Sequence, residues 1–493
     1  MPAIGQQKLE TIPLATAAIL VCLAAALSLA APGTLPWSLL VLAGAAVVAY
    51  WTIRWDAAML IWLWVLSHGL LDWPSWIVRV TGFFNMTVPR FFFLGVLTAC
   101  GFQLLLRSRP VVRFDRAVLW VMLGLLLWCA ASATATGWLA QTAAVRTGPY
   151  FRFLGSLLFP FIAFFLMYNL TRNSRQTRWL LIVLGVYGWY ALYISYLQYA
   201  AAMGLEGARA FIWPGYINDP NFGIHFNRGR GAFSSAPPQA ALLIMLFFSD
   251  LLLIRTVRGP YRAALIVQAI LIPPAIFFTG LRSAYLAFAL CGAVWCLWGS
   301  RQLGLSKLAT ALIAVIIGVA AFWGNLAQEN RQTGGVAQVS PVEARFILLR
   351  QTWPIFSQSP LTGVGFGHFV DAQRQLSQDP AATQGFSGTV LVEHNLFLNM
   401  LAETGLVGFA AVVAVFILIF RQSLQLYRKL PPTAMGTLSR PLVVVFWTVL
   451  VSYLIDATFR DSLWDVFANS LFWSFAGVIV GYNRLLEVEN KSA

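Results

Sequence analysis

The chain has 493 residues, of which 59% are hydrophobic and only 10% are charged. A soluble chain carries about a quarter charged residues, so this composition excludes an ordinary soluble protein. The net charge of +15 does not indicate nucleic acid as a partner, because the basic residues are spread between apolar runs instead of forming one patch.

Apolar runs recur along the whole chain, and each is long enough to cross a hydrocarbon core about 30 Å thick. We predict an all-α polytopic membrane protein with about 14 (12–14) transmembrane helices. The first run ends in an Ala-rich stretch like that of a signal peptide, but its weak basic flank favours a retained helix. The predicted spans are 12–31, 36–53, 57–72, 91–106, 117–135, 153–170, 180–203, 238–254, 263–281, 283–300, 308–323, 396–420, 442–459 and 466–481.

The distribution of basic residues predicts the orientation of these spans. When the loops alternate, 20 of the 33 Lys and Arg residues fall on the side of the N-terminus and 13 on the other. The basic excess marks the cytoplasmic side, so both termini are predicted to be cytoplasmic. The 13 outer residues are all arginines, which fits either chance or a face that binds phosphate through planar guanidinium groups.

Two outer segments are too long to be simple connections, and long loops are usually functional. They divide the chain into N-terminal helices (1–204), an outer loop (205–236), further helices (237–323), a large outer loop (324–395) and C-terminal helices with a tail (396–493). Within the large loop, apolar residues recur at helical spacing from Pro341 to Ile355. We expect this helix to lie along the membrane surface and to carry Arg345 and Arg350.

Arg282 stands between two apolar runs that are separated by almost no loop, so it is predicted at an outer apex. An arginine so near the hydrocarbon is costly without a partner. Two interpretations remain open: an interface arginine that extends to lipid head groups, or an anion site at the bilayer surface.

His394 stands where the large loop enters the next predicted helix, and Asn395 is a candidate cap for that helix. A helix N-terminus disfavours a protonated imidazole, so a neutral His394 could accept a proton as a general base. Glu403 lies deeper in the same helix, where it must be paired or protonated. Gly405 and Gly408 would form a notch for close helix packing.

The segment Leu361–His368 has glycines at alternate positions, which by itself predicts only a turn. His225 and His368 are expected at the surface of outer loops, and Asp456 and Arg460, four residues apart, are expected to form an ion pair. Neither histidines nor carboxylates show metal-ligand spacing, so we predict no metal and no cofactor.

The order of these features resembles the O-antigen ligase and polymerase superfamily of bacterial envelope glycosyltransferases. The resemblance covers residues 205–425, whereas helices 1 to 7 match only in being hydrophobic. Its elements are Arg345, Trp353, Ser359–Gly365 and His394-Asn395-x9-Gly405-x-x-Gly408, with Arg230–Phe233 and Thr279–Ser283 upstream. The family commonly has a serine directly before the arginine of that last element, whereas this chain has Leu281.

The resemblance implies a GT-C-like fold in the bacterial inner membrane and metal-independent glycan transfer at the periplasmic face. The donor would be a glycan on undecaprenyl pyrophosphate, and the acceptor a sugar hydroxyl of lipid A-core or of a lipid-linked repeat unit. Membrane lipid would be a further partner. By position, Arg282 and Arg345 would bind the donor pyrophosphate and His394 would activate the acceptor. Further candidates for a supporting role are Arg230, Arg350, Asn395 and Glu403.

The sequence leaves the type of reaction open. A ligase would transfer a finished glycan and a polymerase a growing chain, and the large number of predicted helices tilts the choice slightly towards an exopolysaccharide-type polymerase. The alternative from a different class is a polytopic transporter or a lipid-linked glycan flippase. Transporters often carry charged groups near the midplane, whereas the notable polar residues here are predicted at the outer face.

Overall fold

The structure is a computed structural model that describes residues 57–71, 78–80, 84–106, 115–138, 148–299, 340–378, 395–431 and 437–492. The chain divides into two compact units, Met1–Val111 and Val112–Ala493. The predicted spans 12–31, 36–53 and 308–323 lie outside the described residues.

The described residues of the first unit form two helices and a small β-ribbon. Helix α1 spans Ala57–Ser67, the strands β1 and β2 span Val78–Val80 and Phe84–Met86, and helix α2 spans Val88–Leu106. The strands pair antiparallel, with Val78 opposite Met86. A hydrogen bond links the two helices: the Trp64 indole nitrogen of α1 donates to the Pro89 carbonyl of α2 at 3.0 Å. This ribbon was not predicted from the sequence.

In the described part of the second unit, all regular secondary structure is helical. Its helices are α3 (Arg116–Thr136), α4 (Pro149–Leu170), α5 (Ser174–Ala202), α6 (Ala236–Leu253), α7 (Pro260–Phe278), α8 (Arg282–Val294), α9 (Ser340–Gln358), α10 (Phe369–Gln378), α11 (Leu396–Lys429), α12 (Arg440–Phe459) and α13 (Val466–Ser492). Short 3₁₀-helices span Glu206–Phe211, Gly215–Asn218 and Ser462–Trp464, and π-helical turns span Phe153–Leu158 within α4 and Trp295–Gly299 after α8.

The predicted fold class, an all-α polytopic membrane protein, is confirmed. Among the described residues, α3, α4, α5, α6, α7, α11 and α12 are long and apolar enough to cross a membrane. Every predicted span within the described residues corresponds to a helix. Two predictions need correction: the span 396–420 extends to Lys429 and is interrupted at Gly405, and the large loop holds a second helix, α10.

Local sequence signals explain several helix ends. Asn173 and Gln176 form a capping box at the start of α5, and the Asp115 carboxylate accepts from the first backbone amides of α3. Glycines set the closest helix packing: a Cβ on Gly477 of α13 would lie 2.3 Å from the Phe164 carbonyl oxygen of α4. Small residues at such positions let helix backbones approach closely within a bilayer.

The second unit has a loop end, at which α3, α5, α7 and α12 finish and α4, α6, α8, α11 and α13 begin. Helix α8 runs antiparallel to α12, with the Cys291 thiol contacting the Thr448 carbonyl and Trp298 contacting Trp447. Arg282 therefore lies towards the end of α12 at Phe459. At the opposite end, Lys429 pairs with Glu487 at 3.0 Å.

Candidate active site

Helix α11 is interrupted at Gly405, whose backbone is not helical (φ 64°, ψ −166°). The interruption leaves carbonyls without their usual partners in the helix. The Ala402 carbonyl accepts from the Val364 amide at 3.0 Å, and the Glu403 carbonyl accepts from the Gly365 amide at 2.9 Å. Long-range partners therefore compensate for the lost helical hydrogen bonds.

Backbone groups at and after the interruption also form hydrogen bonds with partners outside α11. The Leu406 amide donates to the Pro360 carbonyl at 2.9 Å, and the Trp128 indole of α3 donates to the Thr404 carbonyl at 3.0 Å. A Cβ on Gly405 would lie 2.3 Å from the Leu361 carbonyl carbon, so this half of the predicted notch receives a loop. Gly408 faces Trp128 of α3, as expected for helix packing.

The three glycines of the Leu361–His368 segment all have positive φ, between 72° and 113°. Each also lies against another part of the chain. A Cβ added to Gly363 would lie 2.3 Å from Glu403. The corresponding distances are 2.4 Å from Gly365 to Thr136 and 2.6 Å from Gly367 to Pro149. This segment is therefore a structural junction between α3, α4 and α11, which its sequence did not reveal.

His368 completes this junction. Its Nε2 contacts the Gly137 carbonyl at 2.8 Å, and its Nδ1 contacts the Asp371 carboxylate at 3.1 Å. Its side chain is only 11% exposed, so the expectation of a surface histidine was wrong. Both ring nitrogens are engaged, which assigns His368 to positioning the loop.

A buried charge network lies next to this junction. The Arg152 guanidinium donates to Glu403 at 2.6 Å and to Asp461 at 2.9 Å, and all three side chains are at most 1% exposed. Asn399 donates to the same Asp461 carboxylate at 2.7 Å. The Arg152 guanidinium also lies 5.2 Å from the centre of the Phe366 ring. The network therefore joins α4, α11 and the connection between α12 and α13.

The role of Arg152 was not predicted from the sequence. The requirement that Glu403 be paired or protonated is met by this arginine. The available signal was an arginine at the very start of an apolar run, but nothing local identifies partners 251 and 309 positions away. Arg152 immediately precedes the π-helical turn Phe153–Leu158, and such turns often occur at functional sites.

The predicted ion pair of Asp456 and Arg460 is confirmed, with 2.6 Å between the charged atoms. Arg460 also pairs with Asp465 at 3.1 Å. Burial lowers the pKa of Arg460, but the two carboxylates outweigh it and raise that pKa above its usual value. These contacts fix the connection that also supplies Asp461.

Arg230 organises the outer loop from within. Its guanidinium is fully buried and donates to the carbonyls of Ile217 at 2.8 Å, Ile224 at 3.1 Å and Phe222. Burial and the nearby Arg209 lower the pKa of Arg230 to about 10. The hydrogen bonds of Arg230 are directed into its own loop, which it supports from within, and its supporting role at the site stays a prediction.

Arg282 is the first residue of α8, directly after the turn Thr279–Leu281. Gly280 has φ 63°, which allows α7 and α8 to be joined by this short turn. The Gly229 amide of the outer loop donates to the Phe278 carbonyl at 2.8 Å. The predicted apex is thus found at the loop end, beside the outer loop.

Helix α9 agrees with the helix predicted from Pro341 to Ile355. Its residues Leu348 and Ile355 pack with Phe369 and Ala402, which brings α9 against α11. Phe346 and Trp353 belong to the apolar face predicted for this helix. That face points outward, since Phe346 is 64% and Trp353 68% exposed. Arg350 is exposed, while only the backbone of Arg345 is described.

The side chain of Asn395 accepts from the Leu398 amide at 3.0 Å, as expected for a cap of α11. His394, the predicted base, lies outside the described residues. Ala402, where α9 packs, is seven residues beyond Asn395, about 10 Å along the helix. The structure thus brings Asn395 and the helix bearing Arg345 to the loop end, where Arg282 also lies.

The described residues contain no cluster of three or more His, Cys, Asp or Glu side chains that could hold a metal ion. The arrangement offers arginines, one capped helix start and a rigid glycine-containing junction. These groups can bind an anion and align a second reactant.

Residues 265–413 match the family model described as O-Antigen ligase. The match includes Arg282, α9, the Leu361–His368 segment and the interruption of α11. No curated protein matches the chain significantly. The apolar helices and this domain together indicate a multi-pass bacterial membrane protein. Residues 265–413 are therefore similar to an O-antigen ligase domain, as the resemblance in the sequence had predicted.

Proposed function

We propose that the chain transfers a glycan from undecaprenyl pyrophosphate to a sugar hydroxyl at the periplasmic face, in O-antigen or exopolysaccharide biosynthesis. One observation carries the proposal. Within the O-antigen ligase domain, the Leu361–His368 segment is hydrogen-bonded to α11 directly around Gly405. Two motifs that are separate in sequence thereby form one unit, on the helix whose cap, Asn395, directly follows His394 in the sequence.

The proposed reaction needs charge stabilisation and one proton acceptor. The acceptor oxygen bonds to the anomeric carbon of the donor, and the bond from that carbon to the phosphate oxygen breaks. His394 takes the hydroxyl proton, while the departing pyrophosphate keeps the electron pair. Arg282 and Arg345 stabilise its charge, so no metal ion is required for this purpose.

The reaction can be tested on the purified full-length chain with a glycan on undecaprenyl pyrophosphate and candidate acceptors. Formation of a longer lipid-linked glycan identifies a polymerase, and transfer to lipid A-core identifies a ligase. Movement of the lipid-linked glycan across a vesicle membrane without a new glycosidic bond would instead support the flippase.

Replacing Arg282 by lysine is expected to lower kcat/KM for the donor by about 10- to 100-fold. Lysine keeps the charge but loses the planar fork that binds phosphate oxygens in pairs. Arg178→Lys, an exposed arginine near the opposite end, is the matched control. Equal rates for Arg282→Lys and the unmodified chain would leave Arg282 as an interface residue.

A cysteine in place of Gln375, exposed on α10, is expected to react with a membrane-impermeant maleimide in intact spheroplasts. A cysteine in place of Arg258, exposed between α6 and α7, should react only after permeabilisation. Both are introduced into a chain whose native cysteines have been replaced. The reverse pattern would put the loop end in the cytoplasm and contradict the periplasmic site.

A further inference from the structure

Asp250 is an acidic residue within a membrane-spanning helix, away from the loop end. It lies on α6, which begins at Ala236 at the loop end, so about 21 Å of helix separate Asp250 from that end. Its side chain is fully buried. A carboxylate inside a membrane is costly, and acidic residues that occur there commonly belong to ion or proton pathways.

The charge of this carboxylate has no counter-charge in the described part of the chain. Asp250 Oδ1 and Oδ2 both lack a hydrogen-bond partner among those residues. The helices packed against α6 are α5, α7, α8, α12 and α13, and no titratable group of their described residues acts electrostatically on Asp250. Glu403 also has a buried oxygen without a partner, but its other oxygen is held by Arg152. In Asp250 the whole carboxylate is uncompensated.

Gln268 of α7 supplies a third buried acceptor at the same place. Its Nε2 donates to the Gly185 carbonyl of α5 at 2.8 Å, which fixes the orientation of the amide. The Oε1 of that amide is buried and has no hydrogen-bond partner among the described residues. A Cβ on Gly185 would lie 3.6 Å from Gln268 Oε1 and 3.9 Å from Asp250 Oδ1. The two oxygens therefore approach one point on α5 from two different helices.

These acceptors have the chemistry of a cation site. Carboxylate and amide oxygens are the ligands that hard cations prefer, and a buried negative charge requires either a counter-charge or a proton. The single charge of Asp250 is neutralised by one monovalent cation. Gly185 does not block the position, because even a Cβ on this residue would make only ordinary van der Waals contacts.

We propose that Asp250 and Gln268 bind a monovalent cation between α5, α6 and α7. A proton and a sodium ion share the required chemistry. A proton on Asp250 would be donated to Gln268 Oε1, and a sodium ion would contact oxygens of both side chains. The site is independent of the proposed transfer reaction, whose arginines lie at the loop end. The expectation that the notable polar residues gather at the outer face therefore does not extend to Asp250.

The test measures the unfolding temperature of the purified full-length chain in a neutral detergent. In one series, sodium chloride replaces choline chloride at constant ionic strength, and in a second series the pH is varied in choline chloride alone. A ligand that binds only the folded chain raises the unfolding temperature. We expect sodium, if it is the ligand, to raise it by about 2–4 °C when its concentration exceeds the dissociation constant about tenfold.

The variant Asp250→Asn keeps the shape of the side chain and removes its charge, so it should lose the response to the cation. A rise with sodium that is absent from Asp250→Asn identifies a sodium site. If sodium has no effect and the unmodified chain loses stability relative to Asp250→Asn as the pH rises, the ligand is a proton, because the folded chain binds a proton that the unfolded chain releases.

The matched control is Asp219→Asn, which replaces an exposed aspartate of the outer loop and should respond as the unmodified chain does. Identical responses of Asp250→Asn and the unmodified chain in both series overturn the inference. Should Asp250→Asn not fold, Gln268→Met is measured in its place. This variant removes the amide oxygen, and an unchanged response to both sodium and pH likewise overturns the inference.

Discussion

Replacing His394 by alanine is expected to lower the rate of glycan transfer by about 100- to 10,000-fold, because a positioned general base contributes that range. The variant should insert and fold as before, since the cap of α11 is supplied by Asn395. The measurement is the turnover of purified protein with a fixed donor and acceptor. The loss should appear in kcat, while the affinity for the donor pyrophosphate should change little.

The control for this prediction is His225→Asn. His225 is the histidine of the outer loop and has φ 64°, a conformation that asparagine tolerates better than most residues. Its replacement should leave turnover within about twofold of the original, as for substitutions away from reacting groups. Full activity of His394→Ala would remove the assigned base and with it the proposed mechanism.

Replacing Arg152 by glutamine is expected to destabilise the loop end by about 3–5 kcal/mol. The substitution leaves Glu403 and Asp461 buried without the guanidinium that both contact. Two carboxylates removed from water and deprived of their counter-charge cannot be rehydrated without opening the packing around them. The expected observation is a lower unfolding temperature of the purified protein in detergent.

Two comparisons test this explanation for Arg152. The triple variant Arg152→Gln, Glu403→Gln and Asp461→Asn should recover much of the lost stability, because it removes the uncompensated charges. Arg209→Gln breaks a pair whose glutamate is 74% exposed, together with the contacts of Arg209 to Asn227 and Phe226, and should cost less than loss of the buried network. An Arg152→Gln protein as stable as Arg209→Gln would show that the buried network does not stabilise the fold.

The buried charge network also holds α11 in position at the proposed site. Glu403 lies just before the interruption of α11, and its carbonyl receives the Gly365 amide. Arg152 therefore holds the part of α11 between its cap, Asn395, and the interruption at Gly405. Loss of Arg152 should reduce transfer even at temperatures where the protein remains folded.

Local signals determined the helices. The apolar length of each span, the capping by Asn395 and the apolar spacing of α9 are all readable from adjacent residues, because helical hydrogen bonds join positions four apart. The side of the membrane could also be predicted for Arg282, Arg345 and Asn395. The alternation of spans and the distribution of basic residues assign each loop to one side, and neither depends on tertiary contacts.

Only the tertiary structure decided how the polar groups are used. Arg230 and Arg152 have the same side chain, yet Arg230 donates to three carbonyls of its own loop and Arg152 pairs with two buried carboxylates. The interruption at Gly405 is stable because Val364 and Gly365 supply its missing hydrogen bonds. The sequence by itself determined which segments are helices and which helix ends lie on the same side of the membrane. The pairing of charges needed the folded chain, because burial and partners are properties of residues that are hundreds of positions apart.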